Sequence, residues 1–310
     1  MASSLVNAAE TKVVGYVPNW GNPAALAEKI DYSMVTHLNV AFENPKNADG
    51  DFSFNSKDEV LIAKAHEHHV PVLVSIGGGG ASTDKTLQAR YFDLISEAKR
   101  EAFARKLGDY VAAHHFDGVD VDIEGPSVNQ DYGGFIDALA AVLEPAGKLL
   151  TAAVSEGYGG SRIPNSVFPH LTFVNIMAYD AKGTWSPNSP GQHSSMDFAK
   201  ASVAYWLGRG VPKEKAVLGV PFYGYGFGEA FRKSPYNYNE IVAKFPGAEN
   251  LDEVGQTIWY NGIPTIKAKT KYVRDENLGG VMIWSLDTDS YDQRSLLTAI
   301  HEALTAAKAP

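Results

Sequence analysis

The chain has 310 residues, 45% hydrophobic and 20% charged, with a formal net charge of −9 at pH 7 and no cysteine. Such a composition describes a soluble globular protein and leaves no disulfide, thiolate metal site or cysteine nucleophile. The acidic balance, without a basic run, excludes a phosphate-binding stripe for nucleic acid, and no apolar run approaches the roughly 20 residues of a membrane helix.

The start, Met1-Ala2-Ser3-Ser4-Leu5, has neither the basic nor the apolar region of a leader, which leaves an intracellular protein or one whose signal has been removed. In chain order, the first strand signal is Val13-Val14-Gly15-Tyr16-Val17, closed by Pro18-Asn19-Trp20, with a short helical stretch over 24–29. Residues 34–42 predict the second strand, and 57–69 a helix with apolar Val60, Leu61, Ala63 and Ala65. Val72-Leu73-Val74-Ser75-Ile76 is the third strand and runs into Gly77-Gly78-Gly79-Gly80. Residues 91–115 hold one long amphipathic helix, or two, ahead of an acidic fourth strand. There follow a helix over 132–143, strands over 149–155 and 171–178, a helix over 196–209, a strand over 216–222, a helix over 265–275, a strand over 280–284 and a closing helix over 294–308.

Eight candidate strands, nearly all followed by a helix, predict right-handed crossovers, a parallel sheet and an α/β fold. The expected form is a closed (β/α)8 TIM barrel, a single domain over residues 1–310. It would carry a short insertion at about 226–264 between the seventh strand and its helix. A doubly wound open sheet is the alternative, but no Gly-x-Gly-x-x-Gly fingerprint opens the first unit.

The fourth strand carries the chemistry. In Phe116-Asp117-Gly118-Val119-Asp120-Val121-Asp122-Ile123-Glu124, three acids alternate with three β-branched residues, so Asp120, Asp122 and Glu124 share one face. A parallel strand is covered on both sides, and carboxylates there are costly unless they share protons or meet donors, which marks a site. A barrel builds its active site at the C-terminal ends of its strands. Trp20, Phe42, Ser75 to Gly78, Asp120 to Glu124, Met177, Tyr179, Asp180, Tyr223 and Trp284 fall there. Aromatic rings stack on pyranose faces and carboxylates handle glycosidic protons, so the set fits a sugar site. With steps of roughly 6–7 Å per two residues, Glu124 lies at the mouth and Asp120 deepest. Glu124 then reaches a substrate oxygen, while Asp120 and Asp122 are close enough to share a proton and tune it.

Asp117-Gly118-x-Asp120-x-Asp122-x-Glu124 resembles the Asp-Gly-x-Asp-x-Asp-x-Glu signature of the family 18 glycoside hydrolases, the chitinase family. Ser75-Ile76-Gly77-Gly78 resembles that family's third-strand Ser-x-Gly-Gly, and Met177-Ala178-Tyr179-Asp180 its sixth-strand Met-x-Tyr-Asp. Gly219-Val220-Pro221-Phe222-Tyr223-Gly224 and Gly279-Gly280-Val281-Met282-Ile283-Trp284-Ser285 resemble its last two strands, and Gly15-Tyr16 with Trp20 fits the first. The resemblance covers nearly the whole chain.

It implies that Glu124 protonates the leaving glycosidic oxygen. It implies that Asp122 turns toward Glu124 and binds the substrate's acetamido N–H. The N-acetyl group itself then attacks the anomeric carbon, giving a cyclic oxazolinium ion and net retention; substrate-assisted families are an exception to the two-carboxylate rule. Tyr179 would donate to the acetamido oxygen, Asp180 bind the distorted sugar, and Trp284 form its floor. Tyr16 and Ser75 would hold Asp120, with Gly78, Phe42, Met177, Tyr223 and Trp20 completing the substrate-binding set. The resemblance further implies no cofactor or metal, chitin or chito-oligosaccharides as the partner, a monomer, and a secreted or periplasmic location.

Two residues depart from the pattern. Ile123 stands where many members carry Trp or Phe, facing out of the barrel, and Tyr225 replaces an Arg that often follows the seventh-strand Tyr-Gly. The short insertion predicts a shallow, open cleft and endo cleavage. His66-Glu67-His68-His69 and His114-His115 precede strands on the stability face and read as solvated helix ends rather than metal sites. Gly77 to Gly80 lacks the Lys-Ser/Thr of a phosphate loop, and Trp20, Trp185, Tyr223 and Tyr225 are balanced between sugar platforms and packing. Three functions stay open: a retaining endo-chitinase, an endo-β-N-acetylglucosaminidase acting on N-glycans, and a chitinase-like lectin, against which the intact Glu124 speaks.

Overall fold

The computed structural model describes residues 11–306; the readings of residues 1–5 and of the closing helix beyond 306 lie outside the described residues. The chain runs β1 (Lys12–Pro18), α1 (Pro23–Ala27), β2 (His37–Ala41), α2 (Ser56–Glu67), β3 (Val72–Gly77), α3 (Gly78–Thr83), α4 (Lys85–Leu94), α5 (Arg100–Ala113) and β4 (Gly118–Asp122). It continues through α6 (Tyr132–Leu143), β5 (Leu149–Val154), β6 (Phe173–Ile176), α7 (Met196–Gly208), β7 (Ala216–Pro221), β8 (Tyr223–Gly226), β9 (Tyr236–Asn237) and α8 (Tyr238–Lys244). Last come β10 (Glu253–Val254), β11 (Ile258–Trp259), α9 (Ile263–Asp275), β12 (Gly280–Trp284) and α10 (Leu296–Thr305).

β1, β12, β7, β6, β5, β4, β3 and β2 close in that order into a barrel, every neighbour pair parallel. This is the predicted (β/α)8 TIM barrel. The period-two alternation of each strand sorts its side chains between two layers. On β4 and the residue after it, Val119, Val121 and Ile123 enter the large apolar cluster between barrel and helices, and Asp120 and Asp122 face the interior. A smaller cluster of Val14, Tyr16, Phe173, Tyr179, Val217, Tyr223 and Met282 fills the barrel interior.

Several boundaries differ from the sequence reading. Met34 belongs to a one-turn helix, Tyr32–Met34, opened by Asp31 accepting from Ser33 N, so β2 starts at His37. Residues 91–115 are two helices, α4 reaching back to Lys85; the Ser96 hydroxyl bonds Asp93 O at 2.6 Å across the break and competes with helix continuation. Within the glycine run, Gly78 opens α3. Between β7 and α9 the chain folds β8 to β11 into an antiparallel sheet in the order β10–β11–β8–β9, beginning at Tyr223, three residues before the predicted 226. The histidine runs lie at solvated helix ends as expected, with Glu67, His68, His69 and His115 exposed, though His66 bonds Asp117 at 2.7 Å, His68 stacks on Tyr32 at 4.8 Å, and His114 stacks on Phe54 at 3.9 Å. Among the described residues no helix is long and apolar enough to cross a membrane.

One glycine ties β3 to β4. Gly77 sits at φ +106, and a Cβ there would stand 2.3 Å from the Asp122 carbonyl oxygen. Gly77→Ala therefore both strains the backbone and pushes β4 away. The expected loss is at least about 1–3 kcal/mol in urea unfolding, with the larger activity loss of a displaced Asp122; unchanged stability would show that the two strands are not held this closely.

Candidate active site

Asp120 is fully buried. Parallel register sets Ser75 and Thr151 on either side of it, and both hydroxyls donate to it, Ser75 to Oδ2 at 2.7 Å and Thr151 to Oδ1 at 2.6 Å. Tyr16 donates to Oδ2 at 2.6 Å and Asn175 to Oδ1 at 3.2 Å. Burial raises the Asp120 carboxyl above its usual range, against these four donors, which favour the charged form.

Two residues on, Asp122 is also buried, yet its Oδ1 has no partner. Burial first, then the charges of Glu124 and Asp120, push it well above the carboxylate range. Of the two aspartates, the one without donors is driven more strongly toward its protonated form. Glu124 follows at the rim, partly exposed. Burial first and the Asp180 charge second raise it to about 7, the range of a group that is protonated in mild acid and still a competent donor.

The far wall comes from the loop after β6 and from β8 of the small sheet. Tyr179 is buried, and its hydroxyl lies 3.8 Å from Met282 Sδ. Asp180 adopts a left-handed φ of +64 and takes hydrogen bonds on Oδ1 from the Tyr223 hydroxyl and, at 3.0 Å, from Tyr225. Tyr225 is thus turned onto Asp180. The fully buried His193 closes the arrangement: Nδ1 lies 3.4 Å from Asp180 N and 3.6 Å from Asp180 Oδ1, and Nε2 lies 3.2 Å from Tyr223 O.

Aromatic rings line the opposite side. Trp284 lies 5.6 Å from Phe42 at an interplanar angle of 22°, 5.5 Å from Tyr16 and 6.4 Å from Trp20. Trp20 is 67% exposed and stacks over Phe42 at 6.3 Å. Met177 packs partly buried beside the interior cluster. Tyr16, Ser75 and Gly78 lie beneath the surface: the first two bind Asp120, and a Cβ on Gly78 would stand 2.3 Å from the Phe42 ring. Trp185 is 58% exposed and meets Tyr225 edge-on at 5.4 Å, beyond the acid cluster.

Sequence reasoning missed four residues. Thr151 and Asn175 are single polar residues inside apolar strands, a signal that period-two counting offers. His193 lies in an irregular loop whose path no local pattern reveals. Tyr158, 45% exposed, rests over Gly125 directly after the acid, and only the fold brings β5 and β4 ends together. Among the described residues no group of three or more His, Asp or Glu side chains is placed to hold a metal ion. The arrangement sets one carboxyl at the rim, a buried carboxyl without donors below it, a buried carboxyl with four donors at depth, and a stacked aromatic surface.

The family model described as glycosyl hydrolases family 18 matches residues 12–289. A solved family 18 chitinase from the chitin utilization locus of Flavobacterium johnsoniae superposes with a TM-score of 0.88 at 36% identity, over 96% of this chain and 94% of that one. Chitinase-3-like protein 2 of Homo sapiens is 26% identical over 96% of this chain and 92% of its own. Probable chitinase 10 of Drosophila melanogaster is 26% identical over 98% of this chain, which spans 16% of that protein's length.

Thr151→Val tests the donor set around Asp120. It leaves Oδ1 with Asn175 alone, and an under-satisfied buried acceptor costs about 1–3 kcal/mol. Because the lost hydroxyl favours the charged form, the deficit in chemical denaturation should widen from pH 4 to pH 8; an equal deficit at both would show that Thr151 serves packing only.

Proposed function

The chain belongs to family 18 of the glycosyl hydrolases, and from that premise we propose that it is a retaining, endo-acting chitinase. Its reaction is hydrolysis of β-1,4 linkages between N-acetylglucosamine units, with the substrate's own acetamido group as nucleophile. The observation that carries this reading is the inequality of neighbouring carboxyls: Asp120 has four donors, Asp122 keeps an unpartnered oxygen, and Glu124 sits at the rim.

In this reaction Glu124 donates its proton to the glycosidic oxygen as the bond to the anomeric carbon breaks. Asp122 turns toward Glu124, and its free oxygen accepts the acetamido N–H, so that the carbonyl oxygen points at the anomeric carbon. Attack gives the oxazolinium ion; Glu124, now a carboxylate, takes a proton from water, which opens the ring with retained configuration. Tyr16 and Ser75 keep Asp120 charged in place while Asp122 moves. Tyr179 donates to the acetamido oxygen, Asp180 holds the distorted sugar, and Trp284 stacks beneath it, with Phe42, Met177, Tyr223 and Trp20 extending the contact surface. The insertion between β7 and α9 is short, which favours endo action over processive exo action.

Glu124→Gln should lower kcat by about 10²–10⁴-fold with unfolding unchanged; undiminished turnover removes Glu124 as the acid. Since the acid acts protonated and is held near 7, kcat should fall as pH rises through about 7. Product analysis on chito-oligomers of defined length should find the β-anomer first and internal cleavage. A first-formed α-anomer would sink retention, terminal units alone would sink endo action, and release of glycan from a glycoprotein without chito-oligomer turnover would move the substrate to N-glycans.

A further inference from the structure

A second pair of buried carboxyls lies outside the acid cluster, beneath the aromatic rim. Glu43, just after β2, is 3% exposed, and Asp58, in the first turn of α2, is fully buried. Glu43 takes Asn19 Nδ2 on Oε1 at 3.0 Å and Ser53 Oγ on Oε2 at 3.4 Å, together with the backbone N–H of Asn55. Neither oxygen of Asp58 has a donor. A carboxylate buried without donors is far costlier than the neutral acid, so the site favours a protonated Asp58.

The contacts of Glu43 run to the segment that presents Trp20. Asn19 is tied from three sides: its N–H to Ala41 O at 2.7 Å, its amide to Phe42 O and Glu43, and its carbonyl to Asn55 Nδ2 at 2.8 Å. Asn55 is also the N-cap of α2, the helix that holds Asp58. One compact unit therefore joins the carboxyl pair to the residue before the exposed tryptophan.

We propose that Glu43 and Asp58 act as one proton-holding pair that positions the Trp20 platform for sugar binding. With the proton on Asp58, the Glu43 carboxylate keeps Asn19 and its other donors, and Trp20 stays stacked on Phe42. Loss of the proton sets a second negative charge in the same dry pocket, and the Asn19–Trp20 segment shifts to relieve it. This rests on Trp20 as a sugar contact in the proposed chitinase, and Glu43 and Asp58 are positioning residues that touch no substrate.

The facing groups agree. From α5, Tyr110 donates to Ser53 O at 2.9 Å and feels both acids, while Asn19, Ser53 and Asn55 supply neutral donors. Burial raises Glu43 from 4.5 to about 7, and burial with the Glu43 charge raises Asp58 from 3.8 to about 7. Raised folded values mean that the pair's stabilisation is whole below about pH 4 and is lost as pH rises through about 7.

The test is fluorine NMR of protein labelled with 5-fluorotryptophan, with the Trp20 resonance assigned by its loss in Trp20→Phe. In the parent chain that resonance should move with a midpoint near pH 7, and in Asp58→Asn it should stay flat. Glu43→Gln serves as the second variant if Asp58→Asn does not fold. In parallel, the parent's KM for a long chito-oligomer should rise about three- to tenfold from pH 5.5 to pH 8, the worth of one aromatic contact. In Asp58→Asn the KM should not rise, with the pH profile of kcat unchanged. A Trp20 resonance that is flat in the parent, or that still titrates in both variants, overturns the proposal. If no chito-oligomer is bound or cleaved, the substrate reading fails while the resonance still decides the pair.

Discussion

A carboxylate inside a closed barrel loses its water, and the structure answers at Asp120 with donors from β1, β3, β5 and β6. Two of them arrive through register alone, since Ser75 and Thr151 stand level with Asp120 on the flanking strands. The hydrogen bonds thus depend on correct closure, and closure in turn relieves the desolvation of the buried acid. A strand slipped by one residue would send the acids into the apolar layer among the helices and Val119, Val121 and Ile123 into the barrel.

From that anchored acid the polarity of the site follows outward. Asp122 lies one pleat higher, buried but poorly supplied with donors, so it is the natural resting place for a proton. Glu124 lies another pleat up, past the end of β4, where solvent enters. Three chemically similar carboxyls are separated by depth and by donors, not by residue type, and that separation is what acid catalysis needs. The opposite wall repeats the logic with other groups: Tyr223, Tyr225 and the buried His193 hold Asp180 in an unusual backbone conformation.

The rim obeys the same rule of burial against donors. Glu43 has polar partners and Asp58 has none, so a proton resolves there what four donors resolve at Asp120. Their neighbour is the aromatic surface of Trp20, Phe42 and Trp284, stacked closely enough that a shift in one ring is felt by the next. Electrostatics at depth and stacking at the surface are therefore linked through ordinary side-chain bonds.

The alternation on β4 was legible from sequence because a strand's period of two needs no partner to be read. The barrel followed from repeated strand and helix signals, and Trp284, Tyr179 and Asp180 from their places at strand ends. Element boundaries were less legible where side chains cap locally, as at Asp31, Ser96 and Gly78, since such bonds lie outside hydrophobic periodicity. Thr151 and Asn175 show in the sequence as lone polar residues in apolar strands, but their bonds to Asp120, the turn of Tyr225 onto Asp180 and the capture of His193 come only from closure. The sequence by itself determined which residues share a face, because backbone geometry sets that locally. Only the tertiary structure decided which carboxyl meets donors and which keeps the proton, because burial and hydrogen-bond supply depend on residues tens to more than a hundred positions apart.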